Sequence, residues 1–318
     1  MKPAIVGIAG PVLSAAEAAG LARHAPAGVI LFGRNIQDPP QLARLMAALR
    51  AVLPPAADIM VDQEGGRVAR LRSPHWRAHP PARAIGALYA HDHVHGQRAA
   101  WLTGALIGAQ CAQAGFTLVA APVLDVGAAH DVIGDRAFAA DPDMVAVLGR
   151  AVAEGLMAAG VQPIAKHAPG HGRARADSHF ELPVLDDIAD SDLVPFARNA
   201  DLPWMMTAHI RYTGQDMHNP ATQSQPIISR VIRGRIGFRG VLITDDLAMQ
   251  ALSGTPGERA ARALAAGCDI ALHCSGVLAD TEDVLNAVPD IAPRPMNRSR
   301  PQPMDVEELA AERDRLMA

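Results

Sequence analysis

The densest chemistry in this sequence lies in Lys166-His167-Ala168-Pro169-Gly170-His171-Gly172, followed closely by Ala176-Asp177-Ser178-His179. The run leaves an apolar segment, residues 161–165, that reads as a β-strand. A lysine and an imidazole at a strand end are firmly held polar groups, suited to binding a polar substrate. An Asp and a His two residues apart are suited to moving a proton, because the carboxylate orients the ring and stabilises its charged form. Gly170 and Gly172 predict that the excursion between them and the Asp–His pair swings. His171, flanked by both, either serves the site or only shapes its loop.

Those groups need a frame, and the apolar pattern supplies one. Eight short apolar runs recur, at residues 4–8, 28–32, 58–61, 117–121, 161–165, 204–208, 240–244 and 270–273. They do not alternate with polar residues, so both faces of each strand are expected to be buried, as in a parallel sheet covered by helices. Between them lie marked helices. Ser14-Ala15-Ala16-Glu17 is a capping box, Leu42, Leu45, Met46, Leu49 and Leu53 share one face, and Asp141-Pro142 opens a helix that ends at Gly160. Eight strand–helix units predict an α/β fold, a single-domain (β/α)8 TIM barrel spanning residues 1–288. A doubly wound open sheet is the alternative, but Gly7-Ile8-Ala9-Gly10-Pro11 lacks the glycine-rich phosphate turn expected there. Residues 289–318 read as an irregular Pro-rich tail and a terminal helix.

Composition narrows the partners. The 318 residues carry a net charge of -4 with no basic cluster, which argues against nucleic acid. No apolar run reaches the roughly 18 residues of a membrane span, and the N-terminal apolar stretch, broken by Gly10-Pro11, reads as a first strand rather than a signal peptide. Cys111, Cys268 and Cys274 form no CxxC pattern and read as buried thiols of a reduced, cytoplasmic protein. A monomer without cofactor is expected.

A barrel of this kind works at the C-terminal ends of its strands. Ionisable residues gather there: Arg34-Asn35 after the second run, Asp62, Glu64, Arg67 and Arg70 after the third, Asp125 and Arg136 after the fourth. Lys166-His167 follow the fifth run, His209 the sixth and Asp245-Asp246 the seventh, and His273 ends the eighth. Each has a plainer use. Asp62 caps a helix or pairs with Arg67, Asp246 caps a helix beginning at Leu247, and His209 and His273 are satisfied core histidines. His167 and His171 have the HxxxH spacing of a metal site, but Pro169 and Gly170 between them disfavour the helix that would align both rings. No metal is expected.

In Val61-Asp62-Gln63-Glu64-Gly65-Gly66-Arg67-Val68, the 166–172 run, Ala176-Asp177-Ser178-His179, Met206-Thr207-Ala208-His209 and Thr244-Asp245-Asp246-Leu247-Ala248-Met249, the chain resembles glycoside hydrolase family 3. Within it, the resemblance is to the single-domain bacterial β-N-acetylglucosaminidases of peptidoglycan recycling, over about residues 3–280. It implies that Asp245 is the nucleophile and that Asp177 and His179 form the acid/base dyad. Asp62, Arg70, Arg136, Lys166 and His167 are implied to hold the N-acetylglucosamine unit. Ala168 departs from the bulky residue usual in the family motif. The implied partners are N-acetylglucosamine-containing muropeptide fragments.

The chemistry suits these residues. Hydrolysis with retention needs a carboxylate on one face of the sugar and a proton donor on the other. A nucleophile at a strand end is held in line, and a histidine with an ordinary pKa near ~6.5 can donate and then accept a proton at neutral pH. The resemblance implies cleavage of the β-1,4 bond to a 1,6-anhydro-N-acetylmuramic acid leaving group, with or without stem peptide. Rival readings are a phosphorylase using phosphate as acceptor, a substrate-assisted hexosaminidase, for which an Asp-Glu pair would be expected where Asp245-Asp246 stands, and a catalytically inactive sugar-binding barrel.

Overall fold

The computed structural model describes residues 1–127, 133–174, 182–292 and 300–318. In chain order the elements are β1 (Lys2–Gly7), α1 (Ala15–His24), β2 (Pro26–Leu31), α2 (Pro39–Val52), β3 (Asp58–Val61), α3 (Ala82–His91), α4 (His93–Gln113), β4 (Leu118–Val119), α5 (Pro142–Ala158), β5 (Gln162–Ala168), β6 (Val184–Leu185), α6 (Asp190–Ala197), β7 (Trp204–Thr207), β8 (Arg211–Tyr212), β9 (Val241–Asp246), α7 (Pro256–Ala266), β10 (Ile270–His273), α8 (Leu278–Ala287) and α9 (Val306–Met317). Eight strands close a barrel in the order β1-β10-β9-β7-β5-β4-β3-β2, every neighbouring pair parallel. All eight apolar runs are barrel strands. A π-helical segment, Ile227–Arg235, takes the helix position between β7 and β9.

The continuous apolar runs follow from burial on both faces. Ile5, Ile30, Met60, Leu118, Ile164, Met206, Ile243 and Leu272 point inward and fill the barrel. Their neighbours Val6, Leu31, Ile59, Val119, Ala165, Met205, Leu242 and Ala271 pack outward against the helices. Truncating one such inward chain, Met60→Ala for example, removes roughly 2–5 kcal/mol of stability by leaving a cavity.

Local signals were used as the sequence implies. Ser14 and Glu17 form a reciprocal capping box at α1, Asp141 caps α5 with Pro142 at its first position, and Leu42, Leu45, Met46, Leu49 and Leu53 are all buried. The three cysteines are buried and free. Two expectations change. Residues 247–251 form turns, not a helix, so Asp246 caps no helix. Its Oδ1 instead accepts the backbone N–H groups of Ala248 and Cys274, tying the end of β9 to that of β10. Lys166 and His167 lie inside β5 rather than beyond it. Outside the barrel, β6 and β8 pair with each other, Val184 opposite Arg211 and Leu185 opposite Tyr212. Among the described residues no helix is long and apolar enough to cross a membrane.

Candidate active site

The inward register continues past the last apolar layer. Side chains two residues apart share one face of a strand. Asp62, Lys166 and Asp245 therefore follow Met60, Ile164 and Ile243 toward the mouth, and Phe32 and Cys274 follow Ile30 and Leu272. These five line a cavity of about 260 Å³, joined by Glu64, Arg67, Arg70, Arg136, His167 and His171. The size is near the lower end of small-molecule pockets and suits one sugar ring better than a long oligosaccharide.

The cations and two of the carboxylates are matched in detail. Lys166 Nζ, almost fully buried, lies 3.1 Å from Asp62 Oδ1 and 2.6 Å from Glu64 Oε1. Arg136 donates two hydrogen bonds of 2.8 Å to Glu64, and Arg70 donates to Asp62 Oδ2 at 3.3 Å. Burial opposes ionisation of Glu64, but Arg136 and Lys166 hold its carboxyl far below the usual range. Asp62 is likewise lowered, against burial, by Lys166 and Arg70. Burial opposes the charge on Lys166, yet Asp62 and Glu64 raise its pKa. Asp62 thus pairs with Arg70 and Lys166, whereas Arg67 bonds Asp135 at 2.9 Å.

Asp245 is treated differently. It is 8 % exposed, and its Oδ1 accepts the N–H of Asp246 at 2.8 Å. Among the described residues it forms no ion pair within contact distance. Burial raises its pKa, but His167, His209, that N–H and the more distant Lys166 outweigh burial and hold it below the ordinary value. An ionised carboxylate in the cavity with no cation bound to it retains lone pairs for an electrophile.

His167 is fixed from behind. Its Nδ1 donates to Asp125 Oδ2 at 2.7 Å, leaving Nε2 for the cavity. Asp125, fully buried, also accepts the backbone N–H groups of His167 at 3.3 Å and His171 at 2.6 Å through Oδ1. The His171 ring lies edge-on to that of His167, with centroids 5.8 Å apart. Burial lowers the His171 pKa to about 4, so it is neutral at neutral pH. It both lines the cavity and shapes its loop.

The two glycines beside it are sites of close packing. A Cβ on Gly172 would stand 1.7 Å from Val126 O, and Gly170 combines φ +134° with close approach to Asp192. Tyr212 Oη donates to Gly170 O, and Arg173 Nε donates to Asp192 at 2.6 Å. These contacts hold residues 170–173; the excursion expected to swing, residues 175–181, lies outside the described residues. Asp177 and His179 lie outside the described residues. His209 is fully buried, its Nε2 donating to Asp246 O at 2.9 Å, and His273 Nε2 meets Ser275 Oγ at 2.9 Å, so both have core partners.

Three contributors escaped the sequence reading as site residues. Glu64 lies two residues beyond Asp62 and lines the same cavity, a proximity in sequence that could have revealed it. Asp125 was legible as a strand-end carboxylate but not as the partner of His167. Phe32 is the one Phe, Tyr or Trp among the described lining residues, and Arg34 and Arg70 stand 4.9 and 5.4 Å from its ring centroid.

Residues 7–296 match the glycosyl hydrolase family 3 N-terminal domain. A β-hexosaminidase of Aromatoleum aromaticum is 38% identical over 96% of this chain and 89% of its own length. One from Xylella fastidiosa is 40% identical over 89% of this chain and 86% of its own. Among solved structures, NagZ from Neisseria gonorrhoeae in complex with N-trifluoroacetyl-D-glucosamine has a TM-score of 0.86 and 30% identity, covering 100% of this chain and 98% of that one. With its closed parallel barrel and a charged cavity at the mouth, the chain belongs to glycosyl hydrolase family 3, and it is a glycosidase.

Proposed function

We propose that this protein is a retaining β-N-acetylglucosaminidase in which Asp245 attacks the anomeric carbon and forms a covalent glycosyl-enzyme. The observation that carries the reading is the contrast among the cavity carboxylates. Asp62 and Glu64 are committed to Arg70, Arg136 and Lys166, while Asp245 is ionised and bound to none of them. The committed set offers donors and acceptors to sugar hydroxyls and an acetamido group, with His167 presenting Nε2. Asp177 and His179, outside the described residues, are assigned the acid/base role: His179 protonates the leaving oxygen, then takes a proton from water. The similarity to β-hexosaminidases and to a NagZ bound to an N-acylglucosamine supports this substrate class. We assign as leaving group 1,6-anhydro-N-acetylmuramic acid, with or without stem peptide, in cytoplasmic peptidoglycan recycling by a monomer.

The test is hydrolysis of a chromogenic N-acetyl-β-glucosaminide, with a β-glucoside as control. Wild type should cleave only the acetamido sugar, and Asp245→Ala and His179→Ala should each lose at least ~10²-fold. Turnover only with added phosphate would replace hydrolysis by phosphorolysis. Binding without turnover under either condition would make the barrel a sugar sensor.

A further inference from the structure

We propose that the C-terminal helix α9 is a strap that positions the sugar-binding loops, acting through Arg313 and His79. The inference rests on the sugar-binding reading of the cavity and names residues that lie away from it. Helix α9 begins at Val306, beyond the span matched to the family domain, and docks on the outside of the barrel against α4. Arg98 of α4 holds Glu312 through two hydrogen bonds of 2.7 Å. Arg313 points inward instead and is only 4 % exposed. Its Nη1 donates to His79 Nδ1 at 2.9 Å. The other ring nitrogen of His79 meets Gln110 Oε1 at 3.1 Å, where Nε2–H must be the donor. The ring is thus neutral, in one tautomer, and held on both sides.

His79 begins a segment on which two loops of the site rest. Its carbonyl accepts the N–H of Gly66 at 2.9 Å. Gly65, at φ +96°, packs so closely on Pro80 O that a Cβ would come within 2.4 Å, and Gly66 meets Pro81 in the same way. This turn separates Glu64 from Arg67, and Asp62 and Arg70 flank it. Farther along, Arg83 donates to Gly127 O at 2.9 Å and Gly134 O at 3.1 Å, on the connection that ends in Arg136. One segment, residues 79–83, therefore supports the loop carrying Asp62 and Glu64 and the loop carrying Arg136. The described contact that reaches its first side chain from the C-terminal helix is Arg313. Arg136 and Glu64 meet across these two loops at 2.8 Å, so a shift of the segment would open that pair.

The test compares Arg313→Ala with Arg98→Ala, which cuts a different contact of the same helix without touching His79. Kinetics on the chromogenic N-acetyl-β-glucosaminide should be read well below the melting temperature of each variant. Arg313→Ala should raise KM about 5- to 10-fold with kcat within about 3-fold, whereas Arg98→Ala should leave KM unchanged. His79→Asn, whose Oδ1 can still accept from Arg313, should retain most of the wild-type KM, and His79→Leu should not. That pair decides the matter if Arg313→Ala does not fold. An unchanged KM in Arg313→Ala and His79→Leu, or an equal rise in Arg98→Ala, overturns the strap. If wild type is inert on this substrate, the functional reading falls, and calorimetric binding of N-acetylglucosamine by the same variants still decides the strap.

Discussion

Replacing Glu64 by Gln keeps the shape of the side chain and removes its charge, so it isolates what the carboxylate does for its two cations. The Glu64 side chain is 6 % exposed and that of Lys166 3 %, with Arg136 at 16 %. Removing one partner of so buried a set leaves charge uncompensated and costs about 3–5 kcal/mol. Glutamine still accepts one hydrogen bond, which places the expectation near ~3 kcal/mol. At roughly 2 °C per kcal/mol for a large domain, the melting temperature should fall about 6 °C. The exposed pair Arg23–Glu282, with side chains 61 % and 39 % exposed, is the control: Arg23→Ala should cost less than ~1 kcal/mol. Urea titrations at pH 7 measure both. Activity should fall as well, at least ~10-fold in kcat/KM, because Arg136 and Lys166 lose their common anchor.

The sign of the pH dependence is a second check on the same variant. The folded pKa of Glu64 lies below its ordinary value of 4.5, so the unfolded chain takes up this proton first as pH falls. The stabilisation is complete above the unfolded pKa and is lost as pH drops toward the folded one. The gap between wild type and Glu64→Gln should therefore stay constant from pH 7 to about 5.5 and narrow below ~4.5. A loss under ~1 kcal/mol at pH 7, or a gap that does not narrow in acid, would refute the claim that this carboxylate acts as a buried counter-ion.

Other expectations follow from the same geometry. Asp125→Asn removes the acceptor that fixes the His167 tautomer and should lower kcat/KM about 10- to 100-fold, measured on the acetamido substrate. Gly172→Ala drives a Cβ into Val126 O and should cost more than ~2 kcal/mol together with most activity, while Gly10→Ala, with open space around it, should change neither by denaturant titration or assay. His171 and His79 have folded pKa values of about 4 against an ordinary 6.5. Each therefore withdraws stability as pH falls from 6.5 toward 4, up to roughly 3 kcal/mol. Stability measured at pH 7.5 and 5 should drop less in His171→Gln than in wild type.

What the sequence disclosed depended on the range of the interaction. Strand and helix positions were legible because burial on two faces and end-capping are written within a few residues. Asp245 and Lys166 were legible as cavity residues because each directly follows an apolar strand run, and a barrel's site lies at those ends. Glu64 was not assigned, since its meaning lies in Arg136, 72 residues away, and in Lys166. Asp125 gained its role from a histidine 42 residues on, and Arg313 from a histidine 234 residues back. The packing role of the two glycines was hidden for a related reason. A glycine that permits motion and one that permits close approach look alike in sequence, and the Val126 carbonyl facing Gly172 is what shows the close approach.

The allocation of charge is what the proposed nucleophile role of Asp245 rests on. Three cations, Lys166, Arg70 and Arg136, face Asp62, Glu64 and Asp245 in a poorly solvated cavity. If the cations were shared evenly, each carboxylate would be ionised but tied by strong charge-assisted hydrogen bonds. Here Glu64 takes Arg136 and part of Lys166, and Asp62 takes Arg70 and the rest. Asp245 is left to a backbone N–H and the field of its neighbours. That field keeps it ionised without occupying both oxygens. On the proposed mechanism, Glu64 would contribute without touching the reacting atoms, by sharing Lys166 with Asp62. In Glu64→Gln that lysine is left with Asp62 as its one charged partner among these carboxylates, so the slower turnover expected of this variant should appear in kcat as well as in KM.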